Sequence, residues 1–234
     1  HSTSSAASDV YKRQRKYRPN KFSEVFGQDS ITKALEKSIS NQMLSQAYLF
    51  CGPRGVGKTT CARIFAKEIN NRDNNSKNQD YTYNIFELDA ASNNSVEDIR
   101  SLTDQVRIPP QNGTFKVYII DEVHMLSQSA FNAFLKTLEE PPSHAKFILA
   151  TTEKHKIIPT ILSRCQTFDF KRISIESIIE KLVEISKIEE ITYENEALRT
   201  IAKKSDGSMR DAMFMFDQLV TVTDKNLSLS EVNS

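Results

Sequence analysis

Residues Gly52-Pro53-Arg54-Gly55-Val56-Gly57-Lys58-Thr59 fit the spacing G-x-x-x-x-G-K-[ST] that cradles phosphate groups. Three of the chain's six glycines fall within it, so it is not generic loop composition. The chemistry follows from the residue types. Glycines let backbone N–H groups converge on phosphate oxygens, and a helix beginning at the end of the loop adds its positive dipole. Lys58 has the reach for β- and γ-phosphates, and the Thr59 hydroxyl suits Mg²⁺. The competing reading is a glycine turn before a helix, and the flanking pattern disfavours it.

Further residues could act on the same phosphates. Asp121-Glu122 follows an apolar run, Phe115 to Ile120, at what would be a strand's carboxyl end. Asp121 suits a Mg²⁺ contact and Glu122 the orientation and deprotonation of an attacking water. An acidic strand-to-helix loop is the plainer alternative; the intact phosphate loop favours the chemical one. Thr151-Thr152 ends the next apolar run, and a hydroxyl there could bond a γ-phosphate or the water. Threonine at a strand end also has simple β-propensity to recommend it. Arg164, in Ser163-Arg164-Cys165, is a candidate arginine finger; an ordinary surface arginine fits its spacing equally. Arg210 stands at a helix start, where the dipole favours acids instead.

Bulk properties bound the rest. The 234 residues are 38% hydrophobic and 26% charged, the composition of a soluble globular protein. No apolar run approaches the ~20 residues that cross a bilayer, so no membrane association is expected and the location is read as cytoplasmic. A net charge of +1 argues neither for nor against nucleic acid, so any DNA surface must be local. Cys51, Cys61 and Cys165 lack C-x-x-C spacing and read as free thiols of a reducing compartment. The histidines, His124 among them, lack ligand spacing and read as surface residues or residues beside a site. Residues 1–14 read as a tag, a vector remnant or a disordered tail.

The elements that must position these groups alternate. Ile31, Leu35 and Ile39 mark an amphipathic helix; Ala47 to Cys51 a buried strand; Thr60 onward a helix. Asn70 to Tyr83 is a polar loop by composition. Ile85 to Asp89 reads as a strand, and Ser95-x-x-Asp98 opens a helix running to about Val106. Phe115 to Asp121 is a near-continuous apolar strand, as a central parallel strand should be. Ser127 opens a helix with Phe131, Phe134, Leu135 and Leu138 on one face, ended by Pro141-Pro142. Lys146 to Thr151 is a buried strand, Ile157 to Leu162 a short helix, and Gln166 to Phe170 an edge strand. This rhythm predicts an α/β doubly wound parallel sheet. After about Lys171 three helices follow with no strand between them: Ile175 to Ile185, Glu194 to Lys203 and Met209 to Val220. The expected division is therefore 15–172 for the sheet domain and 173–234 for a small three-helix domain. The strongly polar stretch after Leu229 suggests that the second is truncated.

Assembled, these residues resemble the bacterial DNA polymerase III gamma/tau family of clamp-loader ATPases within the AAA+ superfamily. The matching segments are Arg15 to Pro19, Phe22 to Gln28 (FSEVFGQ), the phosphate loop, Asp121 to His124 (DEVH), Leu135 to Pro142 (LKTLEEPP), Ala150 to Thr152, Ser163 to Cys165 (SRC) and Gly207 to Asp211 (GSMRD). The resemblance implies an AAA+ fold with a helical lid, and an ATPase of a DNA-directed DNA polymerase holoenzyme that loads a sliding clamp onto primed DNA. It implies nucleotide contacts from Gly52 through Thr60 (Pro53, Arg54, Gly55, Val56, Gly57, Lys58 and Thr59 between them). Tyr17, Arg18, Pro19 and Val25 would lie near the adenine, and Thr59 and Asp121 would meet Mg²⁺. Asp121 and Glu122 would be the acidic pair, Thr152 the first sensor, and Arg210 the second sensor on the lid. Arg164 would act in trans on a neighbouring subunit's ATP. Implied partners are other clamp-loader subunits in a hetero-oligomer of pentameric type, the clamp, and primed DNA held weakly through phosphates, with Arg100 and Lys146 as candidate contacts. Many family members carry four zinc-binding cysteines between the loop helix and the next strand. Asn70 to Tyr83 has none, so no zinc is expected. Another AAA+ DNA motor, such as a branch-migration helicase, and a non-hydrolysing scaffold subunit are the alternatives.

Overall fold

Three central strands carry almost no polar residues because both their faces are covered. In the computed structural model, which describes residues 13–71, 81–223 and 225–233, β1 (Ala47–Cys51) and β4 (Ala145–Thr151) are buried at every position. β3 (Lys116–Asp121) is buried at all but its two ends. With β2 (Ile85–Asp89) and β5 (Gln166–Asp169) they form a parallel sheet of order β2-β3-β4-β1-β5. Near-continuous apolar runs suit such doubly covered strands. Gln166–Asp169 is at the edge, as its alternation implied. Residues 1–12 of the expected tail and most of the Asn-rich loop lie outside the described residues; Arg13 and Gln14, placed in that tail, are instead helical, and Arg13 lies against Glu189 and Asp217.

Register decides what the sheet can present. Cys51 pairs with Thr151 on β4 and with Asp169 on β5, and Asp89 pairs with Asp121. The carboxyl ends of β1, β3 and β4 are therefore neighbours. Aromatic rings stiffen the sheet across its strands: Phe86 stacks on Tyr118 and Tyr118 on Phe147, with centroids 5.0 and 5.6 Å apart.

The helices obey their sequence signals. α1 (Asp29–Ser40) buries Ile31, Leu35 and Ile39. α2 (Lys58–Asn71) starts at the lysine of the phosphate loop. α3 (Val96–Val106) has a full capping box, Ser95 with Asp98. α4 (Gln128–Glu139) is capped by Ser127 and stops before the proline pair. The short α5 (Pro159–Leu162) has proline in its first turn.

The described residues cluster into two compact units, one drawn from 30–52 and 58–170, the other from 13–29, Pro53–Gly57 and Lys171 onward. The second unit has its own apolar core, built from α6 (Ile175–Glu189), α7 (Asn195–Lys204) and α8 (Met209–Val222). Leu182, Ile185, Leu198, Ile201 and Phe216 are fully buried there. No strand was expected between these helices. One exists, β6 (Thr192–Tyr193), between α6 and α7; it pairs in parallel with β7 (Asn226–Leu227), which comes after α8, and a short α9 (Leu229–Asn233) follows. Each strand is two residues long, too brief for alternation to register in a sequence. Among the described residues no helix is long and apolar enough to cross a membrane.

Candidate nucleotide site

In the sheet unit, the chemistry-bearing residues expected from the sequence meet at the carboxyl edge. Gly52 follows β1 with φ 148°, and its N–H donates to the Thr151 carbonyl at 3.1 Å. A Cβ at this position would lie 2.5 Å from the Phe170 carbonyl oxygen, so only glycine lets the chain leave the strand here. Lys58 is buried, and its ammonium donates to the Gly52 carbonyl at 2.8 Å. The Thr59 hydroxyl donates to Asp121 Oδ2 at 2.7 Å. A hydroxyl and a carboxylate oxygen side by side are the hard-oxygen pair that Mg²⁺ accepts when phosphates and water complete its shell. The residues present thus fit the ion.

Glu122 has an unusual backbone, φ 48° and ψ 44°, the left-handed region. Asp121 Oδ1 accepts its N–H at 3.0 Å. Its own Oε2 accepts from the Thr152 hydroxyl at 3.0 Å and from the Thr152 N–H at 3.3 Å. The expected acid and the expected sensor are therefore directly bonded. His124, read from sequence as a surface residue or one beside a site, has a side chain only 6% exposed. Its Nδ1 is 3.0 Å from the Thr151 hydroxyl and 3.4 Å from Glu122 Oε2, and its Nε2 is 3.5 Å from Glu153. Lys156 bonds Glu153 at 2.8 Å and, with weaker attraction from His124 and His155, holds that carboxyl below its ordinary range. The signal for His124 in the sequence was only its place in DEVH.

The second unit collects the remaining nucleotide candidates. Gly55 has φ 74°, and its carbonyl accepts the Met209 N–H at 3.0 Å. A Cβ on Gly55 would lie 2.0 Å from Ser208 Oγ and 3.2 Å from the Arg210 Cβ. The phosphate-loop turn and the first residues of α8 are thus in direct contact, and Ser208 caps that helix by accepting from Asp211. Arg210 is exposed in the first turn, and Arg54 is exposed in the loop. Gln28 was missed as a contributor. It is buried, donates to the carbonyls of Lys171 at 2.7 Å and Val56 at 3.4 Å, and so ties the loop to Lys171. A buried glutamine is indistinguishable from a surface one by pattern alone.

Tyr17 packs against the core of this unit, and its hydroxyl donates to Glu189, which also takes Lys16. These two bonds, Lys16 first, keep the Glu189 carboxyl below its usual range. Val25 is buried and Arg18 and Pro19 partly so. Arg164 stands apart from the residues above: it bonds Glu139, Thr160 and Ser163. Arg100 is exposed on α3. Lys146 is a correction. It is buried, bonded to the Leu44 carbonyl and Gln46 Oε1, with burial lowering its pKa, so it does not offer a surface charge to DNA. The three cysteines are free, and burial pushes the Cys51 thiol to about 11 and Cys61 and Cys165 to about 12. Such thiols are inert at neutral pH.

Comparison with known proteins gives this arrangement a lineage. A family model described as DNA polymerase III, delta subunit, matches residues 27–174. A second, described as the DNA polymerase III clamp loader subunit, ATPase lid domain, matches residues 177–225. The chain is 47% identical to the DNA polymerase III subunit tau of Bacillus subtilis, over 93% of this chain and 41% of that relative. It is 44% identical to the subunit tau of Escherichia coli, over 94% of this chain and 36% of that relative. It therefore spans about two fifths of the length of these relatives. Among solved structures, the Holliday junction branch migration motor RuvB of Thermotoga maritima superposes with a TM-score of 0.72 at 21% identity, covering 93% of this chain and 71% of that one. That likeness carries the AAA+ fold alone. With the two models together matching most of its length, the chain belongs to the DNA polymerase III clamp-loader family and is similar within it to the gamma/tau subunits.

Proposed function

We propose that this chain is the ATP-hydrolysing part of a clamp-loader subunit that places the sliding clamp on primed DNA. The observation that carries the reading is the joined set Lys58, Thr59, Asp121, Glu122 and Thr152 at one sheet edge. A scaffold subunit without hydrolysis has no need of a catalytic carboxylate beside an intact phosphate loop.

Lys58 neutralises charge on the β- and γ-phosphates, and the loop N–H groups hold their oxygens. Mg²⁺, when bound, withdraws charge from the phosphate oxygens; Thr59 and Asp121 are the residues that would hold it. Glu122 orients the attacking water and accepts its proton at a carboxylate oxygen. Thr152, bonded to that carboxylate now, is the group that releases or retains it. Arg210 senses the nucleotide from the lid, and Arg164 acts on the nucleotide of a neighbouring subunit. ATP and ADP must differ in their contacts with these arginines, because only a differential interaction shifts a conformational equilibrium. Partner subunits in a pentameric assembly, the clamp, and DNA gripped by its phosphates complete the reading.

The test is turnover by the full-length subunit in its assembled complex, with and without clamp and primed DNA. Stimulation by both is expected. A rate indifferent to clamp and DNA rejects the clamp-loading role. Lys58→Ala is expected to lower ATP affinity at least about a hundredfold, from the loss of a charge-assisted phosphate contact; unchanged binding rejects this nucleotide site.

A further inference from the structure

The segment LKTLEEPP has no role in the reading above, yet the structure brings one of its acids onto the candidate finger. Arg164 follows α5, and its backbone N–H donates to the Ile161 carbonyl at 3.0 Å. Nη1 donates to the Thr160 carbonyl at 2.7 Å, and Nη2 donates to Glu139 Oε1 at 2.8 Å. The guanidinium is thus gripped by a peptide oxygen and a carboxylate, with a longer third contact from Nη1 to the Ser163 hydroxyl at 3.4 Å. Its fork is planar, so two contacts fix its direction as well as its place.

Local energetics do not account for the acid. Glu139 is the last residue of α4, where the helix dipole disfavours negative charge, and Glu140 follows it. Lys136 is the basic residue of that last turn. Nor does the ion pair secure the fold: the two side chains are 34% and 50% exposed, and pairs so open to water contribute little to stability. What holds the pair together is the core beneath it. Leu138, beside Glu139, and Ile161, in α5, are buried in one apolar cluster, so the two ends of the ion pair stand on a single rigid base.

We propose that Glu139 is a positioning residue for Arg164, holding the guanidinium in the direction from which it meets a phosphate bound by a neighbouring subunit. This rests on the reading of Arg164 as acting in trans. Arginine has five N–H donors. The grip occupies both hydrogens of Nη1 and one of Nη2, and leaves Nε–H and the second Nη2 hydrogen for an outside acceptor. A long, flexible side chain is thereby aimed before the subunits close, and its ordering is not charged to the moment of reaction.

The experiment uses the full-length chain in its assembled complex. Glu139→Ala is expected to lower kcat for ATP about tenfold, a loss of aim rather than of the reacting group. The KM for ATP and the thermal midpoint should hold. Glu139→Gln keeps the acceptor oxygen and should retain more activity than Glu139→Ala. The double variant Glu139→Ala/Arg164→Ala should be no slower than Arg164→Ala, because the acid works through the arginine. Unchanged or raised kcat in Glu139→Ala, with Arg164→Ala impaired, overturns the positioning role alone. Additive losses overturn it too. Unchanged turnover in Arg164→Ala removes the trans reading and the positioning role together.

Discussion

The carboxylate of Glu122 carries several constraints at once: a left-handed backbone, two bonds from Thr152, and the His124 imidazole beside it. A base bonded to a hydroxyl is less available to a water. Releasing it should depend on Thr152 finding a different partner, and a γ-phosphate is one the fold can offer. Two variants separate holding from chemistry. Glu122→Gln keeps the shape and loses the base; turnover should fall at least about a hundredfold, as removal of a general base does, while ATP still binds. Thr152→Val removes the hydroxyl bond but not the N–H bond, and should uncouple the basal rate from ATP binding. Equal kcat in the Gln variant and the parent excludes Glu122 as the base. At this scale the sequence was informative wherever a residue type had one plausible task. That Lys58, Thr59, Asp121 and Glu122 would gather at neighbouring strand ends was legible because carboxylate, ammonium and hydroxyl sat at motif spacing. His124 was not legible, since its burial between two carboxylates comes from the strand-end turn, which residue type does not disclose.

Elements were the most readable level, for physical reasons that differ among them. β1, β3 and β4 announce themselves because double coverage demands unbroken apolar runs. α3 does so through its cap: Ser95 accepts from the Asp98 N–H, and Asp98 reaches back to the Ser95 N–H. Ser95→Ala should cost about 1 kcal/mol of stability, the usual value of an N-cap, read as a lowered urea midpoint with unchanged slope. The phosphate-loop turn should be far less forgiving. Gly55→Ala places a methyl group 2.0 Å from Ser208 Oγ at a positive φ, so it should weaken ATP binding and lower the thermal midpoint together. A loss of only one of the two separates loop conformation from its packing against α8. Failures at this scale have causes as well. β6 and β7 hold by two residues each and by the surrounding helices. Lys146 looks solvent-bound in a strand until its neighbours show a carbonyl and an amide oxygen waiting for its ammonium.

For the whole molecule, pH should report on the lid unit through one acid. Asp217 of α8 is fully buried, with no hydrogen bond to either carboxylate oxygen among the described residues and Arg13 Nη1 at 3.5 Å. Burial raises its pKa from 3.8 to about 6, against the opposing pull of Arg13. Between those values the folded chain keeps a proton that the unfolded chain has lost. Its contribution to stability therefore declines as pH rises from about 4 through 6, and stays low above that. Asp217→Asn should stabilise the fold at pH 8 by up to about 3 kcal/mol, at 1.36 kcal/mol per pKa unit, read as a raised thermal midpoint, and should change it little at pH 4. The opposite ordering would show that the carboxylate is needed charged. Nothing in the sequence marks Asp217, because an acid on an amphipathic helix ordinarily faces water.

The left-handed conformation of Glu122 has a consequence for anyone who evolves this chain in the laboratory. An L-residue there carries roughly 1–2 kcal/mol of steric cost that glycine does not. A library sorted for survival after heating should therefore drift toward Glu122→Gly, enriching robust chains that no longer hydrolyse ATP. A library sorted for turnover should bring the glutamate back at the expense of heat tolerance. Sequencing both pools at this single codon would display the conflict between endurance and work as opposite tides in allele frequency.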